Sequence, residues 1–282
     1  MTTFALKLEK TNFLTRIWDF LKNDGRHFQI LFQTVFVLFG IYALGWMEYI
    51  NHYFFIFFFT LLFQAIAIYL TDKNFTRLKS GFISSLSLCL MFKAGGISAV
   101  IVCAFFTIAS KYLLKFNGKH IFNPTNFGII ATIFITQNAW ISPGQWGSSM
   151  LFLILITIAG FSVLFNVGRL DTAISFLVAY SGLHFIRQVV YMGWEMDFFL
   201  HHLSSGTLLI FTFFMITDPV TSPNHKVGRI IWASAVGILA FIMTAWFEVY
   251  TAPLWALFII SPFTPLIDKL FKAKKFTWKP TH

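Results

Sequence analysis

Long apolar runs separated by short polar loops recur along almost the whole chain, and they constrain its fold more than any other feature. A helix needs roughly 17 to 25 residues to cross about 30 Å of hydrocarbon. Runs of about this length lie at 27–46, 53–71, 80–95, 97–114, 121–137, 149–168, 171–191, 202–217, 229–247 and 252–267. Only 11% of the residues are charged, against about 25% in soluble domains. The sequence therefore predicts an all-α polytopic membrane protein with about ten transmembrane helices.

The segments outside these runs are too short to form a soluble domain. We expect a cytoplasmic N-terminal segment at 1–26, a single membrane domain at 27–268 and a basic cytoplasmic tail at 269–282. The N-terminal segment lacks the short apolar core and cleavage site of a secretory signal. Its alternation of charged and apolar residues fits an amphipathic helix on the membrane surface, and a solvated tail fits it as well.

Positive charge is distributed unevenly about the predicted spans. Of the 21 Lys and Arg residues, 19 fall on the side of the two termini, and only Lys93 and Arg187 fall on the other. The positive-inside rule then places both termini in the cytoplasm. We expect a bacterial inner-membrane protein whose basic loops face acidic lipid headgroups, and a nucleic-acid partner is not expected. The opposite loops carry Trp140, Trp146 and Trp194, which predicts an interfacial aromatic belt.

Two stretches of the chain share the same order of features. "SSLSLCLMFKAGG" begins at Ser84 and "SSGTLLIFTFFMITDP" begins at Ser204, and each runs from a serine pair to helix-breaking residues. A further span follows each of them, and then a Pro-bearing stretch. Because the copies are an odd number of spans apart, they enter the membrane from opposite sides. This order predicts two inverted five-helix repeats with broken helices, at about 27–137 and 149–268.

The segments "FNPTNFG" and "TDPVTSP" are the predicted helix breaks that indicate most clearly where a functional site lies. Proline removes an amide donor and disfavours helix at the preceding residue. Irregular backbone at membrane depth is tolerated only where it is buried in protein or lines a cavity. The polar side chains that could satisfy the freed backbone groups are Asn123, Thr125, Asn126, Asp218, Thr221 and Ser222. Ordinary turns at the cytoplasmic interface are the alternative.

A few other polar residues in the apolar runs are also candidates for a functional role. Asp171 could pair with Arg169, cap its helix or serve a site. His184 is the one histidine within an apolar run, and His201 and His202 are expected to be solvated, so a haem held by two histidines is not expected. Cys89 and Cys103 form no CxxC pair; they are either packed thiols or half of an iron–sulfur site shared with a second chain.

The second half resembles a known family. "GTLLIFTFFMITDPVTSPNHKVGR" and "SPFTPLIDKLFK" are similar to the last spans of RnfD from Rnf electron-transport complexes and of NqrB from the sodium-pumping NADH:quinone oxidoreductase. "FNPTNFGI" in the first half is similar to the Asn-Pro motif of that family, and the resemblance covers roughly residues 80 to 272. It implies a ten-helix inverted-repeat protein that holds flavin and passes electrons across the bilayer, in a complex that moves an ion.

One departure from that family concerns the flavin. The family attaches FMN to a threonine in a Ser-Gly-Ala-Thr loop, whereas the corresponding loop here reads "ITQNAWISPGQWGSS" and has no threonine beyond Thr136. Ser142, Ser148 and Ser149 have hydroxyl groups that could replace the threonine chemically, but their sequence context does not match the attachment motif. The stretch "SPGQWG" is closer to the stand-alone UnbU-like members of the family. The resemblance therefore implies non-covalent flavin, FMN or riboflavin, or none. The expected cofactor-binding residues are Asn123, Thr125, Asn126, Ser204, Ser205, Thr217, Asp218, Thr221 and Ser222.

Three functions remain open at this point. The first is a flavin-binding electron-transfer protein, which works with a redox partner protein or complex rather than as a stand-alone catalyst. The second is a small-solute or flavin transporter, because inverted repeats with broken helices suit alternating access equally well. The third is an anchor that docks an electron carrier and binds nothing itself. Fold alone does not choose among them.

Overall fold

The structure is a computed structural model that describes residues 24–71, 73–142, 146 and 150–278. Almost all of the N-terminal segment at 1–26, for which a surface helix or a solvated tail is expected, lies outside these residues. So do Ser148, Ser149 and the last four residues of the tail. The side chains of residues 150–152 are not described either.

The described chain is mostly helical, as the composition predicts. The first group of helices comprises α1 (Gly25–Ala43), α2 (Ile50–Leu70), α3 (Leu78–Met91), α4 (Ile97–Leu113) and α5 (Pro124–Thr136). The second group comprises α6 (Met150–Val167), α7 (Leu170–Phe185), α8 (Met196–Leu203), α9 (Gly206–Ile210), α10 (Lys226–Phe247), α11 (Ala252–Ile260) and α12 (Thr264–Leu270). Two helices continue as π-helices, α7 over Ile186–Tyr191 and α9 over Phe211–Met215. Short 3₁₀ turns lie at Trp46–Tyr49, Phe75–Arg77 and Ser261–Phe263.

Two short antiparallel pairs complete the described secondary structure. β1 (Phe92–Ala94) follows α3 directly and pairs with β4 (Ala139–Ile141), so that Lys93 lies opposite Trp140. The other pair is the hairpin of β2 (Lys115–Phe116) and β3 (Lys119–His120). The break after α3 is therefore not left unpaired, because the loop after α5 supplies hydrogen-bond partners for its backbone.

Several described helices have the length and apolarity that a membrane requires. Three helical stretches qualify, at Trp46–Leu70, Leu170–Tyr191 and Lys226–Phe247. The stretches Met196–Leu203 and Gly206–Met215 qualify only together, and the 52° bend between them fits either a broken span or a re-entrant loop. Shorter apolar helices lie at Ile97–Leu113, Pro124–Thr136 and Leu153–Val167. The prediction of a helical membrane protein is confirmed, and the number of ten spans and the inverted repeat stay predictions.

The helix at the predicted eighth span, 202–217, begins earlier than the apolar run does. The chain is already helical from Met196, and it bends at Ser204 and Ser205 before α9 begins. Ser205 takes an extended conformation, with φ −65° and ψ 121°, which interrupts the helix. The serine pair thus marks a bend between two helices.

The bundle is joined by a few close helix contacts. α10 packs along α7, and α4 packs along α2 and α5, while α1 with α6 and α5 with α11 connect the two groups. At Gly237 of α10, an added Cβ would lie 2.9 Å from the Phe176 carbonyl oxygen of α7. Only a residue without a side chain lets these two backbones approach so closely.

One of the three loop tryptophans is buried and does not lie at the protein surface as predicted. Trp146, expected at the water–lipid boundary, is 1% exposed. Its ring lies against Trp46 with centroids 4.7 Å apart, and it covers Gly206 at the start of α9. Trp146 therefore packs between a residue of the first helical group and one of the second, which a count of loop tryptophans does not reveal.

We expect Gly237→Ala to destabilise the protein by about 1–3 kcal/mol, because overpacking separates α7 from α10. Gly182→Ala is the matched control: it is also a helical glycine, but nothing lies within 4 Å of an added Cβ. There the gain in helix propensity should leave stability equal or higher. The stability of both variants can be measured by thermal unfolding in detergent. A thiol-reactive dye reports unfolding when the buried Cys89 and Cys103 become accessible. Equal unfolding temperatures for the two variants would contradict the close packing.

Candidate functional site

The two proline-broken segments come together in the folded chain. Asn123 is the N-cap of α5: its side-chain oxygen accepts from the Asn126 amide at 3.2 Å, and Pro124 occupies the first turn. The Asn123 side-chain nitrogen donates to the Met215 carbonyl oxygen and to Asp218 Oδ2, both at 3.4 Å. One motif from each half of the chain therefore contacts the other directly.

Neither segment is an exposed turn. Thr217, Pro219, Thr221, Ser222 and Pro223 are all buried. Asp218 accepts from the Val220 amide at 3.0 Å, and its backbone carbonyl accepts from the Ser222 amide at 3.0 Å. Burial raises the pKa of the Asp218 carboxyl in this loop, against the hydrogen bond from Val220, which lowers it. The acid closes the turn and also presents a desolvated carboxyl group to its surroundings.

Three cations hold the backbone of the second segment, and we call Lys119, Arg169 and Arg229 the cation clamp. Lys119 Nζ donates to the Ser222 carbonyl oxygen at 2.6 Å and to Asp268 Oδ2 at 2.6 Å. Arg169 Nη2 donates to the Pro219 carbonyl oxygen at 3.4 Å, and Arg229 Nη1 donates to the Asn224 carbonyl oxygen at 2.8 Å. The clamp supplies donors to carbonyl groups that a broken helix leaves unpaired.

Burial lowers the pKa of two clamp residues that lie outside the predicted spans. Burial lowers the pKa of Lys119, and the neighbouring Asp268 carboxylate opposes that change. Burial also lowers the pKa of Arg169, to about 10. At neutral pH the Arg169 guanidinium therefore keeps its charge despite its burial.

Of the two structural roles expected for Asp171, the acid does lie in the first turn of α7, where it accepts from the Thr172 amide at 2.8 Å, but its ion-pair partner is not Arg169. Asp171 pairs with Arg229 across two helices, with Oδ2 2.5 Å from Nη2. The Arg169 guanidinium instead lies 5.5 Å from the Phe276 ring centroid in the C-terminal tail. Nearness in sequence misleads here because α10 brings Arg229 to the start of α7.

A cavity of about 350 Å³ lies between the two helical groups beside these segments. Of the predicted binding residues, Asn123, Thr125, Thr217 and Asp218 line it. Its apolar wall includes Ile210, Phe213, Phe214 and Met215 from the second half, and Val163, Leu164 and Val167 from α6. Its polar wall comes from the first half and includes Gln33, Gln64, Ser80, Ser84, Ser87 and Lys111.

The other predicted residues lie outside the cavity lining. Asn126 donates to the Leu254 carbonyl oxygen at 3.1 Å, which ties α5 to α11. Thr221 and Ser222 belong to the turn that the clamp holds. Ser204 and Ser205 do not line this cavity: they lie at the N-terminal end of α9, whereas the cavity lies at its C-terminal end. Ser204 Oγ donates to the His201 carbonyl oxygen at 2.9 Å.

The polar wall was missed in the sequence because its residues are scattered over α1, α2, α3 and α4. Lys111 lies in the last turn of α4 and is 5% exposed. Its Nζ donates to the Ser80 carbonyl oxygen at 2.8 Å and to Ser80 Oγ at 3.0 Å, and Gln64 Oε1 lies 3.4 Å away. Glutamines in otherwise apolar runs, as in "QILFQ" and "LLFQAI", were the available signal.

Two polar atoms in the cavity lining are buried without a hydrogen-bond partner among the described residues. They are Gln33 Oε1 and His120 Nδ1. A buried polar atom without a partner costs about 1–3 kcal/mol, so such atoms indicate where a ligand or an ordered water binds. The cavity is thus equipped to receive a polar group that the protein alone does not supply.

Basic and aromatic residues surround the mouth of the cavity. Arg26, Arg77, Lys115 and His120 contribute to the lining, and so does Trp278 from the C-terminal tail. The Arg26 guanidinium lies 5.4 Å from the Trp278 ring centroid. The tail therefore crosses back over the start of α1 and forms part of the cavity wall.

We expect Lys119→Met to destabilise the protein by about 2–4 kcal/mol, because it leaves Asp268 and the Ser222 carbonyl without a buried cationic partner. The same substitution should accelerate amide hydrogen exchange in residues 217–224. Asp268, which Lys119 holds in place, also accepts a hydrogen bond from the Asn224 amide. Lys272→Met, at an exposed position of the tail, is the control and should change neither quantity. Unchanged exchange in Lys119→Met would mean that the clamp does not hold the segment.

The chain matches a known protein family. The sequence profile of the NQR2, RnfD, RnfE family matches residues 134–277. The chain is also similar to proteins named as one of the subunits of an ion-translocating oxidoreductase complex. It is 38% identical to that of Stutzerimonas stutzeri over 77 residues, which are 27% of this chain and 22% of the relative. It is 31% identical to the subunit of Halorhodospira halophila over 75 residues, which are 27% of this chain and 21% of the relative.

The matched part spans only about a fifth of the length of these curated relatives. The profile match is wider: it covers just over half of the chain and includes the Asp-Pro turn, α10 and the last helices. These are the elements that the clamp and the cavity bring together. The chain therefore belongs to the NQR2, RnfD, RnfE family.

Proposed function

We propose that this chain is a membrane subunit of an ion-translocating oxidoreductase complex, in which it holds a flavin without a covalent bond and passes electrons across the bilayer. Relatives named as subunits of such a complex support the first part. One observation carries the second: two buried breaks, one from each half, meet at a cavity with one polar and one apolar wall. A redox partner protein or partner subunits follow from the same proposal.

The shape and chemistry of the cavity suit a flavin ring. The isoalloxazine is flat and largely apolar, and one edge carries alternating hydrogen-bond donors and acceptors. Phe213 and Phe214 supply a surface for the apolar rings, while Gln33 and Gln64 supply amide groups that both donate and accept. The unpartnered Gln33 Oε1 is available to such a ligand. A volume of about 350 Å³ is of the size that ligand pockets have.

Two opposite charges in the lining remain apart. Within the described residues, Lys111 has no carboxylate in salt-bridge contact, and its ammonium is held by Ser80 and Gln64. Asp218 is held by Asn123 and by the Val220 amide. A bound flavin supplies one- and two-electron transfer, and Lys111 would offset the negative charge that reduction adds. Asp218 would accept a hydrogen bond from the donor edge of the ring.

Residues at the mouth of the cavity would retain the flavin without a covalent bond. Arg26, Arg77 and Lys115 are suited to a phosphate group, which would favour FMN, and riboflavin would use the ring contacts alone. Trp278 would exclude water from the mouth. Ser142, the described candidate for covalent attachment, does not line the cavity.

The membrane arrangement belongs to the same proposal. Ten spans in two inverted repeats, at about 27–137 and 149–268, would place the cavity between the repeats. A bacterial inner-membrane location with cytoplasmic termini would direct the basic mouth towards the cytoplasm, where water-soluble electron carriers are available. The contacts of α1 with α6 and of α5 with α11 support this arrangement.

The wild-type protein, purified in mild detergent, is expected to carry flavin that denaturation releases intact, as measured by absorbance and mass spectrometry. Lys111→Met and Gln33→Leu are each expected to weaken flavin binding by about tenfold, since each removes one buried polar contact of roughly 1.4 kcal/mol. Lys226→Met, at an exposed position of α10, is the control and should bind like the wild type.

Two results would contradict the proposal. A well-folded wild-type protein that neither carries flavin nor binds added FMN or riboflavin would exclude flavin from the cavity. A flavin-free protein whose liposomes accumulate riboflavin without an electron donor would support a transporter instead. Two variants are used so that misfolding of one does not decide the outcome.

A further inference from the structure

The residues that follow α12, 272–278, run over the surface of the molecule, and we call them the tail strap. They form no regular secondary structure. Among the described residues, none of them takes part in a backbone–backbone hydrogen bond. Segments that lack such hydrogen bonds belong to the parts of a protein that open most readily. The tail strap is therefore held in place by side-chain contacts.

Two aromatic rings of the tail strap face the body of the protein. Phe276 and Trp278 are partly buried, whereas the other residues of the tail strap are exposed. The Phe276 ring centroid lies 5.5 Å from the Arg169 guanidinium, and the Trp278 centroid lies 5.4 Å from the Arg26 guanidinium. The two rings also contact each other, with centroids 5.0 Å apart. Cation–π contacts at exposed sites are weak, so these rings can both hold the tail strap and release it.

The tail strap is attached to the bundle where α12 ends. The Phe271 amide donates to the Ile267 carbonyl oxygen at 2.8 Å, and the Phe271 ring stacks on His225 with centroids 5.9 Å apart. Beyond this point the chain passes the β2–β3 hairpin, where Lys275 Nζ donates to the Asn117 carbonyl oxygen. Phe271 therefore marks the position of a hinge for the tail strap.

The tail strap bridges two sides of the cavity mouth. Arg26, which contacts Trp278, lines the cavity from the first half of the chain. Arg169, which contacts Phe276, donates through Nη2 to the carbonyl oxygen of Pro219, and Pro219 lines the cavity from the second half. The two rings are thus anchored on opposite halves of the chain.

The Trp278 indole itself closes part of the gap between these halves. Trp278 and Val167 both line the cavity. A Cβ added at Gly25 would lie 3.3 Å from Trp278 Cζ3 and 3.7 Å from Val167 Cγ2. Gly25 is the first residue of α1 and Val167 is the last residue of α6. The indole therefore packs where the start of α1 meets the end of α6, at the edge of the cavity.

We propose that the tail strap is a lid, and that a ligand enters or leaves the cavity only while the two rings of the tail strap are detached. In the closed state the Trp278 indole covers the mouth, and in the open state the tail strap has swung away about Phe271. Lids of this kind exclude water and retain a bound ligand. The proposal concerns access to the cavity, whatever the cavity binds, so it goes beyond the function proposed above.

Access to the cavity can be measured with a cysteine in place of Val163, a buried residue of the lining in α6. The full chain with Val163→Cys is treated with a maleimide in mild detergent, and labelling at this position is followed by mass spectrometry. We expect Trp278→Ala to raise the labelling rate about tenfold, which corresponds to about 1.4 kcal/mol of lost closing energy. Deletion of residues 272–282 should raise the rate at least as much, because it removes the whole lid.

Thr277→Ala is the matched control, because Thr277 is an exposed residue of the tail strap between the two rings, and it should leave the labelling rate unchanged. An unaltered rate after Trp278→Ala or after the deletion would overturn the lid. An equal increase in Thr277→Ala would also overturn it, as would labelling of Val163→Cys as fast as that of an exposed Thr277→Cys.

The labelling experiment is independent of the proposed function. It follows a cysteine and needs no flavin, so a protein that binds no flavin still tests the lid. A mouth that stays open without the tail strap would in turn leave the ring contacts of a flavin in place. Failure of the lid and failure of flavin binding are therefore distinguishable.

Discussion

The structure depends on the need to satisfy backbone groups where a helix breaks inside an apolar bundle. The chain leaves its helical path at Met215 and does not resume it until Lys226. Water cannot serve the buried carbonyl groups in between, so the cation clamp donates to them. A buried cation is costly by itself, and here the same contacts that satisfy the carbonyls also stabilise the charge.

The clamp also determines where the cavity lies. It holds the turn that carries Asp218, and within that turn Asp218 lies beside Asn123, while Lys111 on the opposite wall is held by Ser80. A bundle that only maximised burial would close this gap, because empty space forfeits packing energy. The unsatisfied Gln33 and His120 atoms in the lining are consistent with a space kept for a ligand.

The fold and the candidate site were predictable to different degrees. Most helix positions followed from apolar length, and the breaks at Asn123 and Asp218 followed from their prolines. The polar wall was not predictable, because Gln33, Gln64 and Lys111 are single polar residues in separate apolar runs. Their convergence depends on how α1, α2 and α4 pack, and a sequence pattern within one helix carries no information about that.

The sequence by itself determined that the chain is a helical membrane protein, where its helices break and which family it resembles. These properties depend on local composition and on the geometry of single helices, which residue order encodes directly. Only the tertiary structure decided which partners the polar residues have: Asp171 with Arg229, His202 with His184, and Trp146 with Trp46 and Gly206. Such pairs join residues distant in sequence, and their contacts exist only once the helices have packed.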